Sequence, residues 1–290
     1  MLDPRLHAYR ADLADGRLRG EVDAVHFTEG RPAQLIAGLI PVRRAPRPDA
    51  PIDTFFHYGE RLRVFDQRDG FAWCQSDRDR YVGYVDATAL VSGPALSATR
   101  YIANLGAYRY AEPDLRSPVI DFLPRHSPLN VTQSGLVTRD TTYAGLDGGG
   151  FTPETCLSRD PPRSPDLAAA AALYLGCPYL WAGRSFLGID CSGLVQEAFR
   201  DLGVSVLRDT DMQRETIGTA VTVTRIADLQ RNDLIYIPGH VMIVTGQGRV
   251  IHASGDGMAV RRDSIAALLR RWGCTIANFT VRRPQPPRLT

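Results

Sequence analysis

The chain has 290 residues, 44% apolar and 23% charged, and its 34 basic side chains nearly cancel 32 acidic ones to leave a formal net charge of +2. Such a balance excludes a disordered chain, and the arginines are scattered with only short pairs such as Arg43-Arg44 and Arg261-Arg262, so no nucleic-acid partner is expected. A length beyond the usual domain of roughly 100 to 200 residues predicts two or three domains.

The opening residues, Met1-Leu2-Asp3-Pro4-Arg5, lack a basic stretch followed by an apolar run, which predicts a cytoplasmic location. Leu6, Tyr9, Leu13 and Leu18 fit a loosely amphipathic helix, so residues 1–40 are expected to form a helical packing arm. The longest apolar run, Ala33 to Val42, is about half of the roughly 20 residues that span a bilayer and contains Gln34, Gly38 and Pro41; no membrane insertion is expected. After the Pro-rich stretch Pro41 to Pro51, short β-like runs at Arg61 to Phe65, Phe71 to Gln75 and Arg80 to Val85 are punctuated by Gly59, Gly70 and Gly83, and predict a small barrel over residues 41–97. Residues 98–160 echo that block. Glu112-Pro113-Asp114 stands against Arg47-Pro48-Asp49, Leu129-Asn130-Val131 against Leu62-Arg63-Val64, and Gly150-Phe151-Thr152-Pro153 against Gly83-Tyr84-Val85, which reads as an internal repeat.

The linker Pro161-Pro162-Arg163-Ser164-Pro165 then opens a third region, residues 161–290, where the period turns helical. A helix is predicted from Asp166 to Leu175, with Ser164 as cap and Pro165 at its first position. Helices follow at Cys191 to Leu202 and Thr210 to Ile217, then strands at Asp233 to Ile237, His240 to Thr245 and Arg249 to Ala253. A helix from Asp263 to Arg271 and a strand from Thr275 to Val281 complete an α+β layout.

The chemistry gathers in this last region. Leu194, Val195, Ala198, Phe199 and Leu202 recur at helical spacing, which puts Cys191 on a first turn capped by Asp190. The unpaired N–H groups and positive dipole end of that turn favour a thiolate, the nucleophilic form of a thiol. A buried structural cysteine is the competing reading at this point. Among six histidines, His240 and His252 fall on adjacent predicted strands joined at Gly246-Gln247-Gly248. An odd loop pairs Met242 with His252 and puts both imidazoles on one face, whereas an even loop separates them. A shared face supplies one imidazole to deprotonate the thiol and a second group to orient the first. Cys74, Cys156, Cys177 and Cys274 lack close CxxC spacing and are expected to be reduced core residues, and Asp211 and Gln213 to lie on a solvated helix face.

Pro178-Tyr179-Leu180-Trp181-Ala182-Gly183, Asp190-Cys191-Ser192-Gly193-Leu194-Val195, Gly239-His240-Val241 and Ile251-His252-Ala253-Ser254, in this order, resemble the NlpC family of bacterial cell-wall cysteine peptidases. The likeness covers about Pro165 to Val281. The first β block resembles bacterial SH3 domains through Tyr58-Gly59-Glu60, Phe71-Ala72-Trp73 and Tyr81-Val82-Gly83-Tyr84-Val85, and the second does so faintly. The resemblance implies two small SH3-like β-barrels before a papain-like α+β domain, in which the nucleophile helix packs on an antiparallel sheet bearing the histidines. It implies Cys191 as nucleophile, His240 as general base and His252 as the orienting third member. It further implies hydrolysis of the γ-D-glutamyl to diamino acid bond of murein stem peptides, with Asp190, Ser192 and Tyr179 binding substrate near the nucleophile. In similar SH3-bearing members an acid and a tyrosine of the first barrel meet the substrate's free amino terminus, which implies Glu60 and Tyr81. This chain departs from the family pattern in having Asn232-Asp233 for Gly-Asp and Trp181-Ala182-Gly183 for Trp-Gly-Gly.

Other readings stay open on sequence. One cysteine and two histidines could ligate zinc with an open fourth position, although the close ligand pairs usual in such sites are missing; no metal or cofactor is expected. A non-catalytic cell-wall peptide-binding protein and a thioester-forming transamidase are the further alternatives. A cytoplasmic location would make short murein peptides, imported for recycling, the substrate.

Overall fold

The computed structural model describes residues 2–93 and 97–285, and the chain divides into two compact units, Met1–Pro162 and Arg163–Thr290.

The first unit is β throughout. Residues 1–40 do not form a helical arm: among the described ones the helical turn is a short 3-10 segment, Gly16–Leu18, while Leu13–Asp15 pairs in parallel with His26–Thr28. Arg31–Leu35 and Leu39–Arg43 are barrel strands, so the first barrel begins before residue 41. The sparse leucines near the start cannot cover a helical stripe, whereas Ala33 and Leu35, two residues apart, both enter the core. Seven strands form this antiparallel barrel, in the order Ile52–His57, Leu39–Arg43, Val82–Asp86, Phe71–Ser76, Arg61–Arg68, Arg31–Leu35 and Leu90–Ser92. Leu35, Val42, Phe56, Leu62, Cys74, Tyr81 and Val85 fill it.

The second barrel has a five-stranded sheet in the order Val119–Pro124, Gly106–Tyr110, Phe151–Pro153, Thr141–Leu146 and Val131–Thr138, completed by three short strands around Arg100–Ile102. Its core of Ile102, Ala107, Leu123, Leu129 and Leu146 also takes in Tyr58 from the first barrel. The repeat is structural. Leu62 and Leu129 fill corresponding core positions, Gly59 and His126 both have positive φ, and the 3-10 turns Ala87–Ala89 and Glu154–Cys156 stand at that same spacing. The turn after Arg43 is matched by that after Tyr110 at the same spacing, with N–H donation from Arg47 to the Ala45 carbonyl and from Asp114 to that of Glu112. Arg47-Pro48-Asp49 is therefore two residues out of step with Glu112-Pro113-Asp114.

The second unit is an α+β domain. Helix α1 is Leu167–Ala172, α2 Cys191–Arg200, α3 Thr210–Thr216 and α4 Ile265–Trp272. The strands are β1 Thr219–Val221, β2 Leu234–Ile237, β3 His240–Gly246, β4 Arg249–Ser254, β5 Ala259–Ser264 and β6 Thr280–Arg283, in one antiparallel sheet of order β1-β6-β2-β3-β4-β5. Helices α1 and α2 both pack on β3 and β4. Ile235, Met242, Val244 and Val250 build a separate core with Ile265 and Leu268 of α4 and Val281 of β6. Burying each such aliphatic side chain is worth roughly 1.5–3 kcal/mol, so the central strands are anchored firmly.

Three boundaries differ from the sequence reading. Asp166, not Ser164, caps α1: its Oδ1 accepts the Ala169 N–H at 2.8 Å, while the Ser164 hydroxyl bonds Asp201. Asp263 belongs to β5, paired with Val250, and α4 starts only at Ile265. The last strand starts at Thr280, after a 3-10 turn at Ile276–Asn278.

Candidate active site

Asp190 is the N-cap of α2, its Oδ1 accepting the Gly193 N–H at 2.7 Å, and this places Cys191 at the first helical position, 7% exposed. A Cβ on Gly193 would stand 2.3 Å from the Gly183 carbonyl, so a side chain there would displace the loop that meets this turn. Burial, then the negative charge of Asp190, push the Cys191 thiol up to about 11, although the Val241 and Ser192 N–H groups favour the thiolate. The helix end is thus outweighed: the sequence predicted a stabilised thiolate, and the buried sulfur holds its proton.

The Asp190 carboxylate is filled from within the domain. Arg208, 1% exposed, grips it with Nη1 on Oδ1 at 3.1 Å and Nη2 on Oδ2 at 2.6 Å. The Ala182 N–H donates to Oδ2 at 2.9 Å, and Arg208 Nη1 also donates to the Ser192 hydroxyl at 2.6 Å. Gln213 is fully buried rather than solvated, its Nε2 donating to the carbonyls of Ser192 at 3.0 Å and Leu207 at 2.9 Å. Arg208 escaped the sequence reading because it sits in an irregular segment without periodicity.

His240 opens β3, and the backbone N–H of its neighbour Val241 acts to lower the Cys191 thiol. The β3–β4 turn is a tight one through Gln247 and Gly248, with φ of 52° and 66°, as a two-residue hairpin of this twist requires. By itself that even loop would separate the histidines. An irregularity at Thr245, between the pairs Val244 with Val250 and Gly246 with Arg249, shifts the register by one and restores the odd spacing. His240 Nε2 and His252 Nδ1 are accordingly 2.7 Å apart, with ring centroids at 4.9 Å. Burial first, then His252, drive the His240 imidazole down to about 3, and burial lowers His252 against the opposing pull of Asp263. Both rings are neutral near pH 7.

His252 has a further partner. Its Nε2 lies 3.0 Å from Asp263 Oδ2, and Arg261 Nη2 donates to Asp263 Oδ1 at 2.7 Å. Burial raises the Asp263 carboxyl, but the bonds from His252 and Arg261 outweigh it and hold the group below the usual range. Asp263 was hidden by its assignment to a helix. Strand alternation from His252, which pairs with Arg261, would have set it on the same face.

Tyr179 is half-buried, and burial, followed by the nearby charges of Cys191 and Asp190, pushes its phenol up to about 12. Leu180, Trp181, Phe186 and Leu187 leave an exposed apolar rim on the loops before α2. Both departures from the family pattern have left-handed backbone: Asn232 at φ 76°, its Oδ1 accepting the Ala168 N–H, and Ala182 at φ 69°. In the first barrel Glu60 is buried with Arg78 Nε at 3.2 Å from its Oε1, and Tyr81 is a core residue. Both have work within that barrel.

Residues 176–272 match the NlpC/P60 family, and residues 42–90 match the bacterial dipeptidyl-peptidase SH3 domain. The chain is similar to dipeptidyl-peptidase 6 of Lysinibacillus sphaericus, 38% identical over 100 residues that cover 34% of this chain and 36% of that protein. It is 34% identical to the γ-D-glutamyl-L-lysine dipeptidyl-peptidase of Bacillus cereus over 100 residues, 32% of this chain and 29% of that protein. The chain thus spans about a third of the length of these curated relatives. A crystal structure of an NlpC/P60 family protein from Bacillus cereus superposes with a TM-score of 0.69 at 19% identity, covering 88% of this chain and all of that one, which shows a shared fold.

Proposed function

We propose that this chain, whose residues 176–272 match the NlpC/P60 family, is a cysteine peptidase in which Cys191 attacks, His240 is the base and His252 orients it. The observation that carries this reading is the 2.7 Å bond between His240 and His252 at the head of the strand whose Val241 N–H acts to lower the Cys191 thiol. With the thiol near 11 and the imidazole near 3, the resting pair is neutral rather than an ion pair. The proton therefore passes from sulfur to His240 as the sulfur bonds the substrate carbonyl carbon. His240 returns that proton to the leaving amine as the C–N bond breaks, and a thioester remains on Cys191. Water then attacks the thioester carbonyl while His240 takes its proton, and the thiol departs with that proton restored.

The substrate class we infer is the γ-D-glutamyl to diamino acid bond of short murein peptides such as L-Ala-γ-D-Glu-diaminopimelate. The names of the relatives support it. In this reading Asp190 and Ser192, fixed by Arg208, and the Tyr179 phenol border the substrate. Incubation with the defined tripeptide and its L-lysine counterpart, followed by mass spectrometry, tests the proposal. Release of L-Ala-D-Glu and free diamino acid is expected. Cleavage elsewhere, or none in either peptide, would refute the specificity.

A further inference from the structure

We infer that Asp263 is a positioning residue that fixes the direction of every proton in the His252–His240 chain, so that His240 presents a bare Nδ1 to the thiol. The inference rests on reading Cys191 and His240 as nucleophile and base, and on which atoms donate and which accept along three contacts. A carboxylate only accepts. His252 Nε2, 3.0 Å from Asp263 Oδ2, must therefore carry a hydrogen. His252 is 2% exposed, which disfavours a second proton, so its Nδ1 is bare and can only accept. The partner of that nitrogen, His240 Nε2 at 2.7 Å, must then be the donor. A neutral imidazole holds one hydrogen, and His240 has now placed it on Nε2. Its Nδ1 is left with a lone pair, the tautomer that can take the proton of a thiol.

The reverse order would disable the base. With a hydrogen on His252 Nδ1, His240 would accept through Nε2 and carry its own hydrogen on Nδ1, leaving no bare nitrogen to receive a proton. Without an outside anchor the two orders are connected by a concerted flip of both rings' protons, and only the group beyond His252 distinguishes them. Arg261 makes the anchor one-sided: its Nη2 holds Asp263 Oδ1 at 2.7 Å and turns Oδ2 to the ring. Asp263 touches neither thiol nor base, and acts through His252 as outer partners of ligating or catalytic imidazoles commonly do.

Asp263→Asn is the informative change, because Arg261 will claim the amide oxygen and leave the NH2 aimed at His252 Nε2. That donor forces Nε2 bare and reverses both tautomers. Asp263→Ala removes the bias without imposing the opposite one. The full-length protein with 15N-labelled histidine, read by long-range 1H–15N correlation, reports the tautomers without any substrate, and His252→Gln assigns the resonances. We expect Nε2–H on both rings in the wild type and Nδ1–H on both in Asp263→Asn. We expect kcat to fall roughly 10- to 100-fold in Asp263→Asn with KM within about twofold. Asp263→Ala should lose less, and Arg261→Ala added to Asp263→Asn should recover part of the loss by freeing the amide to rotate. Nδ1–H on His240 in the wild type, unchanged tautomers in Asp263→Asn, or a loss confined to KM would each overturn the inference. Undiminished turnover in His240→Ala would instead defeat the catalytic reading, and the tautomer spectra would still decide the role of Asp263.

Discussion

Two aspartates flank the candidate site, and they are built in opposite ways. Asp190 is closed: a buried guanidinium grips it with two bonds and backbone N–H groups of Gly193 and Ala182 fill its remaining lone pairs. Asp263 is open at one end, its charge continuing through His252 to His240 and stopping at a ring nitrogen. The closed carboxylate can hold a shape but has little left to give a reacting group. The open one has a single route along which a change at one end reaches the other. Buried charge thus serves geometry on the side of α2 and proton order on the side of the sheet.

The contrast is sharpest in turnover. His240→Ala removes the terminus of the open chain and should lower kcat more than about a thousandfold, since nucleophile and base act as a unit. Circular dichroism should show an unchanged fold, and a variant retaining more than a tenth of wild-type turnover would contradict the assignment. Stability should run the other way. Arg208→Met strands the buried Asp190 carboxylate and should cost about 3–5 kcal/mol in urea unfolding, whereas Asp263→Ala, at a position with 14% side-chain exposure, should cost about 1 kcal/mol. Equal losses would erase the distinction between the two aspartates.

Acid should reveal the open chain as well. The folded imidazole of His240 lies near 3 and an unfolded one near 6.5, so the unfolded state takes up the proton first as pH falls. The stability tied to neutral His240 is complete above about pH 6.5 and drains away as pH falls toward 3. Between pH 7 and pH 5 the wild type should lose about 2 kcal/mol more than His240→Gln, measured by urea melts at both values. An identical loss in the two proteins would mean that the ring is not held neutral by burial.

The smallest effect belongs to the closed side. Ala182 gives its N–H to Asp190 from a left-handed backbone at φ 69°, where an L side chain is strained. Ala182→Gly should raise stability by about 1 kcal/mol with turnover unchanged. Destabilisation would show that the methyl group packs better than its backbone suggests.

The sequence carried the α+β domain and the place of Cys191 at a helix start, because helical spacing and strand alternation are local signals. What escaped it was non-local or irregular. The extra residue at Thr245, which decides whether the histidines meet, leaves no mark in composition. Arg208 reaches Asp190 from a loop, and Asp263 sits where a strand runs directly into a helix, so its neighbours on both sides support either assignment. The helical arm failed for a related reason: a few leucines at rough helical spacing do not outweigh the pairing of Arg31–Leu35 and Leu39–Arg43 into the barrel. Burial and the Asp190 carboxylate raise the thiol against the pull of the helix end, and neither is a local signal.

Acid quenching of the enzyme during turnover of L-Ala-γ-D-Glu-diaminopimelate, followed by peptide mapping, asks directly whether Cys191 carries the reaction. The L-Ala-D-Glu acyl group should be found on the peptide containing Cys191 in the wild type, with diaminopimelate released, and Cys191→Ala should show neither the adduct nor the release. Release of diaminopimelate by Cys191→Ala at a rate near that of the wild type would contradict the mechanism.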